Sequence, residues 1–321
     1  MSKTSSDLVR HALHGPTMGT RWTALFFAPP GRDPAPIRAA LQAAVAEVDT
    51  QMSTWKPDSE LMRLNAAPEG EWVKVPGRLA EVLHLGLEIG KASGGAFDVG
   101  LGDAVTAWGF GPDEASPDAI RAAMSVPRQP AYEWLEIDHD RVRKHGPAAL
   151  DLNGIAKGYG VDRLAETLAA QGIEAGLVGI DGEMRAEGLR PDGSAWTIAV
   201  ESPDPLRRMP HSILALENAS VATSGDYRHW IDLGVRRLSH TMDRSRGAPL
   251  LASPASVTVV ARSCAEADGW ATALMVLGPG KGLEVAKARG LDALFLMHVD
   301  DGSVQSRGTG DLFPQSLAAT V

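Results

Sequence analysis

The sequence has 321 residues, of which 44% are apolar and 22% are charged, proportions typical of a folded globular chain and not of a disordered one. Asp and Glu outnumber Lys and Arg by 40 to 31, and the net charge of −9 argues against nucleic acid or an anionic membrane as a partner. The one cysteine, Cys264, excludes an internal disulfide and a cysteine-based metal cluster. The 34 Gly and 21 Pro exceed average usage, so the chain is rich in turns.

The beginning of the chain is polar. Its first seven residues contain no apolar stretch of the kind found in a signal peptide, and no apolar run reaches the roughly 18 residues that a membrane-spanning helix needs. The sequence as written therefore predicts no transmembrane segment and a cytoplasmic protein; a periplasmic or membrane-anchored protein is the alternative if a leader has been removed. Residues 1–14 are predicted to form a flexible N-terminal tail before a folded domain at 15–321.

Predicted strands and helices alternate through the rest of the chain, without the even rhythm of a doubly wound parallel sheet. We expect a mixed α+β fold in which β-rich lobes pack around several long helices. The Pro- and Asp-rich segment 111–130 is predicted to be an insertion or linker. The predicted strands are 20–27, 175–180, 196–200, 213–216, 229–238, 257–261 and 294–299. The predicted helices are about 36–52, 79–91, 155–170 and 265–277, the last ending at Gly278-Pro279-Gly280.

The start of the third predicted helix is a candidate anion site. Gly154 and Gly158 would let a ligand approach the backbone, and Lys157 would add positive charge beside the unsatisfied N–H groups of the helix. A phosphate could dock there although the P-loop and Rossmann fingerprints are absent. The alternative is an ordinary helix start, capped by Asp151 or Asn153.

The start of the fourth predicted helix is a candidate metal site. Asp268 and Thr272 are four residues apart and therefore share one helix face. A carboxylate and a hydroxyl are hard oxygen donors that suit Mg²⁺, which often keeps waters and binds substrate phosphates as well. The alternative is a capping Asp and a Thr that bonds back to its own helix.

Four further positions are candidates on their residue type. His240 and Asp243 follow the predicted strand 229–238 and could act in general acid–base chemistry, or could form an ordinary surface pair. Trp55 and Phe97 lie beside turn residues and could stack on a flat ring, or could belong to the core.

Taken together and in order, these segments resemble the ApbE family of FAD:protein FMN transferases. The resemblance runs from about Gly15 to about Gly278 and is more specific than any single motif. It is carried by Met18-Gly19-Thr20, residues 52–60, Gly95-Ala96-Phe97-Asp98, Trp108-Gly109-Phe110, residues 150–159, Gly182-Glu183-Met184, residues 223–227, His240, and residues 267–272.

The resemblance implies a fold and an activity. The domain at 15–321 would have the ApbE-like, T-fold-related architecture. Its reaction would be the Mg²⁺-dependent transfer of FMN from FAD to a Thr or Ser hydroxyl of an acceptor flavoprotein, with release of AMP. The acceptor would carry a motif of the type Ser/Thr-Gly-Ala-Ser/Thr.

The resemblance also implies the roles of individual residues. Mg²⁺ would be held by Gly154, Asp268 and Thr272, and His240 would help to deprotonate the acceptor hydroxyl. The residues expected to contact FAD are Met18, Trp55, Ala96, Phe97, Asp98, Asp151, Lys157 and Met242.

This chain departs from the family pattern at three places. Trp55 replaces the usual Tyr, and Ala271 stands where relatives often carry Ser or Asp. The segment that usually ends in Asp-Pro-Arg-Thr-Gly is here Asp243-Arg244-Ser245-Arg246-Gly247. This altered loop leaves open an FAD-binding protein without turnover. A Mg²⁺-dependent FAD pyrophosphatase is a further alternative, because water in place of the acceptor hydroxyl would need only room beside His240.

Overall fold

The computed structural model describes residues 8–204, 207, 209–226, 230–233, 236–299 and 301–314, with the backbone alone for 230–233 and 236–238. The helices in chain order are α1 (Ala35–Met52), α2 (Glu60–Ala66), α3 (Gly77–Ala92), α4 (Gly102–Ala107), α5 (Pro117–Ser125), α6 (Ala131–Trp134), α7 (Ala156–Ala170) and α8 (Cys264–Arg289).

The strands in chain order are β1 (Val9–Thr17), β2 (Thr20–Ala28), β3 (Trp72–Lys74), β4 (Leu135–Asp138), β5 (Arg141–Lys144), β6 (Gly176–Ile180), β7 (Glu183–Glu187), β8 (Trp196–Glu201), β9 (Pro210–Leu216), β10 (Ala219–Gly225), β11 (Trp230–Leu233), β12 (Arg236–Ser239), β13 (Met242–Asp243), β14 (Ala248–Pro249), β15 (Ser256–Ala261), β16 (Asp292–His298) and β17 (Val304–Thr309).

One antiparallel sheet organises the fold. It has eight strands in the order β1-β2-β6-β7-β10-β15-β16-β17, and small sheets of two or three strands pair β8 with β9, β11 with β12, β13 with β14, and β3 and β4 with β5. The prediction of a mixed α+β fold is confirmed. Among the described residues, no helix is both long enough and apolar enough to cross a bilayer.

Both faces of this sheet are covered, which explains the nearly continuous apolar runs in its central strands. Side chains of successive residues point to opposite faces of a strand. On β15, Val257 and Val259 join the core beneath the helices, whereas Val260 joins a second core formed with Trp196 of the β8–β9 hairpin.

The predicted elements differ from the observed ones mainly at their ends. Helices α1, α3 and α7 lie where the apolar spacing predicted them. Helix α8 is longer than predicted because it resumes after a break at Gly278, whose φ of 70° and ψ of 174° are not helical. The predicted strand 229–238 is a pair, β11 and β12, with residues 229, 234 and 235 outside the described residues. Helix α5 lies within the predicted linker 111–130.

The predicted tail is wrong for residues 9–14, because strand β1 begins at Val9. It pairs with β2 along its whole length, from Val9 opposite Ala28 to Thr17 opposite Thr20. Only Gly15 and Thr17 of this strand are buried, since β1 is an edge strand and most of its side chains meet solvent. Its composition therefore suggests a polar tail although its backbone is fully paired on one side. Residues 1–7 lie outside the described residues.

Helices α7 and α8 cap each other's first turns. The Asp268 carboxylate on α8 accepts a hydrogen bond at 3.0 Å from the N–H of Gly158 on α7. In return, Asp162 on α7 accepts hydrogen bonds at 2.8 and 2.9 Å from the N–H groups of Cys264 and Ala265 on α8. The first N–H groups of a helix have no partner within it, so each buried carboxylate satisfies donors that would otherwise be left unpaired.

Gly158 makes this close contact between the two helices possible. A Cβ at position 158 would lie 2.3 Å from the Cys264 carbonyl oxygen and 2.8 Å from the Asp268 Cβ. The glycine therefore faces α8, whereas the sequence suggested that it would leave room for a ligand.

Substitution of Gly158 tests this contact. Gly158→Ala should lower the free energy of unfolding by about 3 kcal/mol, because the added methyl group meets backbone that cannot turn away. Gly77→Ala is the control, since a Cβ at this position in the first turn of α3 would meet nothing within 4 Å. Urea denaturation of both variants, followed by tryptophan fluorescence, measures the difference. Equal free energies of unfolding would contradict the packing argument.

Candidate functional site

The predicted metal ligands come together where α8 passes the start of α7. Asp268 is 5% exposed and lies one helical turn before Thr272, whose Oγ1 is 3.1 Å from Ser224 Oγ on β10. The backbone of Gly154 is directly opposite, because a Cβ at that position would be 3.1 Å from Thr272 Oγ1. The alternative interpretation of this segment is only partly right. Asp268 is a capping residue, but it caps α7 and not its own helix. Thr272 bonds to Ser224 of the sheet and not back to its own helix.

These residues fit a hard divalent cation. Asp268 uses one carboxylate oxygen, Oδ2, to accept from Gly158, and no described residue donates a hydrogen bond to Oδ1. Among the described residues, no group of three or more His, Cys, Asp or Glu side chains could hold a metal ion. The carboxylate and hydroxyl would therefore need further oxygens from backbone, water or a bound phosphate, which is typical of Mg²⁺.

Lys157 lies in a group of carboxylates. Its Nζ is 2.9 Å from Glu183 Oε1 and 3.5 Å from Asp181 Oδ2. Burial favours the neutral amine, but the nearby Glu183, Asp268 and Asp181 carboxylates outweigh it and raise the Lys157 pKa. Burial raises the pKa of Asp268 to about 6, against the opposing effects of Lys157 and the Gly158 N–H.

Glu183 is a site residue to which the sequence analysis assigned no role. It is 4% exposed, and its Oε2 is buried without a hydrogen-bond partner. Glu183 is the first residue after the β6–β7 turn. The two turn residues, Asp181 and Gly182, both have positive φ, 52° and 109°. Asp-Gly between apolar runs is a strong hairpin signal, so the turn was visible in the sequence, whereas the pairing of Glu183 with Lys157 was not.

The turn Gly95–Asp98 forms the next part of the site. Phe97 is 3% exposed, and its ring would be 3.2 Å from a Cβ at Gly154, so it packs against the predicted metal ligands. Ala96 is half-buried beside it. Met18 approaches the same helix at Gly160, where a Cβ would be 3.3 Å from its Cε. The structure therefore brings Met18, Ala96 and Phe97 to the start of α7.

The Asp98 side chain is only 1% exposed. Its Oδ1 accepts hydrogen bonds from the N–H groups of Gly100 at 2.9 Å and Ala131 at 3.1 Å, and its Oδ2 is 3.6 Å from the Nε of Arg244. Burial raises the Asp98 pKa, and the two N–H groups and Arg244 oppose this rise.

Asp151 lies just before α7 but does not cap it. Its carboxylate accepts hydrogen bonds from the backbone N–H and the side-chain amide of Asn153, at 2.8 and 2.9 Å. Burial raises its pKa to about 6, and the Asn153 N–H limits the rise. Helix α7 has no side-chain cap from the preceding segment, so the alternative interpretation, a cap by Asp151 or Asn153, is wrong. Asp268 supplies the cap from another helix.

His240 and Met242 lie on a separate segment, which contacts the Gly95–Asp98 turn through Arg244. His240 meets the ring of Phe110 edge-on, with ring centroids 6.3 Å apart. Met242 is 6% exposed and belongs to an apolar cluster with Trp108, against which Phe110 also packs. Trp55 is 61% exposed, and among the described residues no ring contact joins it to either group.

The fold is that of flavin transferases of solved structure. The apo form of the Pseudomonas stutzeri flavinyl transferase ApbE matches 97% of this chain and 98% of its own, with a TM-score of 0.85 and 37% identity. Flavin transferase ApbE from Vibrio cholerae matches 94% of this chain and 97% of its own, with a TM-score of 0.84 and 36% identity.

The sequence places the chain within the same family. A family model described as "ApbE family" matches residues 18–295, and the chain belongs to that family. A curated Vibrio cholerae relative named "FAD:protein FMN transferase" is 38% identical over 295 residues, which are 90% of this chain and 88% of the relative. The resemblance found in the sequence is confirmed; the roles of the individual residues remain predictions.

A double-mutant cycle tests the pairing of Lys157. The coupling free energy between Lys157→Met and Glu183→Gln should be about 2 kcal/mol in urea denaturation, since the Glu183 carboxylate is buried. The control cycle, Lys157→Met with Asp181→Asn, should give less than about 1 kcal/mol because that carboxylate is partly exposed. Equal coupling free energies in the two cycles would contradict the expectation that the pair with the buried carboxylate is the more strongly coupled.

Proposed function

We propose that this chain transfers FMN from FAD to a Thr or Ser hydroxyl of an acceptor flavoprotein, with Mg²⁺ as the metal and AMP as the leaving group. The observation that carries the proposal is the hard-oxygen pair Asp268 and Thr272 facing the start of α7 in a chain of the ApbE family. Curated relatives from Vibrio cholerae and Escherichia coli are named FAD:protein FMN transferase.

Local charge supports a requirement for a divalent cation. Around the single ammonium of Lys157 lie the carboxylates of Asp181, Glu183 and Asp268. Their summed charge is negative, so an FAD pyrophosphate approaching this group would be repelled. A divalent cation at Asp268 and Thr272 offsets this negative charge, and the N–H groups at the start of α7 then favour the phosphates.

The residues would divide the reaction between them. The acceptor oxygen forms a bond to the phosphorus of the FMN half, the pyrophosphate P–O bond to AMP breaks, and His240 takes the hydroxyl proton. Mg²⁺ supplies Lewis-acid polarisation of the pyrophosphate when it is bound, held by Asp268, Thr272 and Gly154. Phe97, Ala96 and Met18 would position FAD beside α7, and the exposed ring of Trp55 would be free to stack on the flavin.

The proposal is tested by incubating the purified chain with FAD and Mg²⁺, with and without an acceptor peptide that contains Ser/Thr-Gly-Ala-Ser/Thr. We expect FMN to become covalently attached to the peptide, with one AMP released per peptide modified, as measured by mass spectrometry and nucleotide chromatography. Free FMN and AMP without acceptor would instead support a pyrophosphatase. FAD binding with no AMP under either condition would support a non-catalytic binder.

Removal of the metal carboxylate should abolish the reaction. Asp268→Asn should reduce the Mg²⁺-dependent rate of AMP formation by at least about 100-fold, since metal stabilisation of the pyrophosphate is worth several kcal/mol. The matched control is Glu266→Gln on the same helix, where Glu266 forms the capping box with Ser263. An unchanged rate in Asp268→Asn would contradict the assignment of Asp268 as a metal ligand.

Removal of the proposed base should slow turnover and spare binding. His240→Ala should lower the rate of peptide flavinylation by about 100-fold or more, while the Kd for FAD, measured by titration of flavin fluorescence, stays within about threefold. His145→Ala is the control, since His145 pairs with Glu136 at 2.9 Å on the β4–β5 hairpin. If His240→Ala abolishes FAD binding, His240 is a ligand contact and not a base.

A further inference from the structure

Arg244 lies on the loop between β13 and β14, and the structure gives its side chain a defined place. Its guanidinium lies over Gly95, where a Cβ would be 3.0 Å from Nε. The Nε donates a hydrogen bond to the Gly95 carbonyl oxygen at 3.3 Å, and another guanidinium nitrogen donates to the Arg128 carbonyl oxygen at 2.7 Å. One side chain therefore joins three segments of the chain.

The partners of Arg244 are themselves firmly held. Arg128 forms a two-pronged ion pair with Asp103, at 2.8 and 2.6 Å, and its side chain is 7% exposed. At the other end of the loop, the Gly247 carbonyl oxygen accepts from the Trp108 indole N–H at 3.0 Å. The loop from Asp243 to Gly247 is thus anchored at Arg244 and again at Gly247.

Asp98 adds an electrostatic interaction with the Arg244 guanidinium to these hydrogen bonds. Its Oδ1 is satisfied by two backbone N–H groups, whereas its Oδ2 is buried without a hydrogen-bond partner. Arg244 is the cation beside that oxygen, at 3.6 Å. A buried carboxylate oxygen with one adjacent guanidinium is costly to leave alone, so loss of Arg244 should loosen the turn that Asp98 closes.

The Gly95–Asp98 turn contacts two other parts of the chain. Phe97 packs against Gly154, one of the predicted metal ligands, while Gly95 and Asp98 are held by Arg244. Arg244 in turn lies one residue after Asp243 and two after Met242, on the segment that also carries His240. The turn is therefore fixed between the proposed metal site and the segment of the proposed base.

We propose that Arg244 is a positioning residue that holds the Gly95–Asp98 turn in the conformation that binds FAD. The effect on FAD rests on the proposed function. An ordered turn binds ligand without the entropic cost of ordering it at the moment of binding.

The test compares Arg244→Met with Arg246→Met in the full chain. Arg246 is the matched control because it belongs to the same loop, and its guanidinium donates to the Pro249 carbonyl oxygen at 3.2 Å. Hydrogen–deuterium exchange of the peptide covering residues 93–100, without ligand, measures the order of the turn. Titration with FAD in the presence of Mg²⁺ measures Kd, and steady-state AMP formation with acceptor peptide gives KM and kcat.

We expect faster exchange in residues 93–100 for Arg244→Met alone, with the Kd and KM for FAD raised about tenfold and kcat within about threefold. Arg244→Lys should recover only part of the affinity, because an ammonium lacks the planar fork that reaches both carbonyl oxygens. In an Asp98→Asn background, Arg244→Met should raise Kd by less than about threefold, because the two residues act as one unit.

Unchanged exchange, an unchanged Kd, or equal effects from Arg246→Met would overturn the proposal. A fall in kcat with KM unchanged would also overturn it, since general loss of folded enzyme gives that pattern. If the unsubstituted chain bound no FAD, the proposed function would be contradicted, whereas the exchange measurement would still decide whether Arg244 holds the turn.

Discussion

The reciprocal capping of α7 and α8 is the constraint on which the rest of this structure depends. Asp162 and Asp268 are buried carboxylates, and each is accommodated because it accepts hydrogen bonds from the other helix's first turn. A buried carboxylate without such donors would be strongly destabilising. The arrangement therefore fixes the distance between the helices and, with it, the position of Asp268 relative to Gly154 and Lys157.

This constraint also explains why the proposed metal site needs so few side chains. Asp268 is oriented by Gly158 through one oxygen, and Thr272 is held by Ser224 on the central sheet, so both donors are in place before a ligand arrives. Such preorganisation lowers the cost of binding. The remaining coordination positions would be left for water and for the phosphates of FAD, which suits a site where the metal and the substrate bind together.

Local patterns could be predicted from the sequence, and contacts between distant segments could not. The spacing of Ile37, Leu41 and Val45 predicts α1 because that signal lies within one helix. Asp268 and Thr272 were recognised as a pair for the same reason. The roles of Asp162, Glu183 and Arg244 depend on partners that are 102, 26 and 149 residues away in the chain, so no single segment contains the signal.

The break at Gly278 has a consequence for how α8 can vary. Its φ of 70° and ψ of 174° fall in a region open essentially to glycine alone, and the i→i−4 hydrogen-bond pattern is interrupted there. The rotation of the first part of the helix about its axis, which aims Asp268 and Thr272, is therefore uncoupled from the part that follows Pro279. A change in the length of the later part should therefore be absorbed at this joint without turning Asp268 and Thr272.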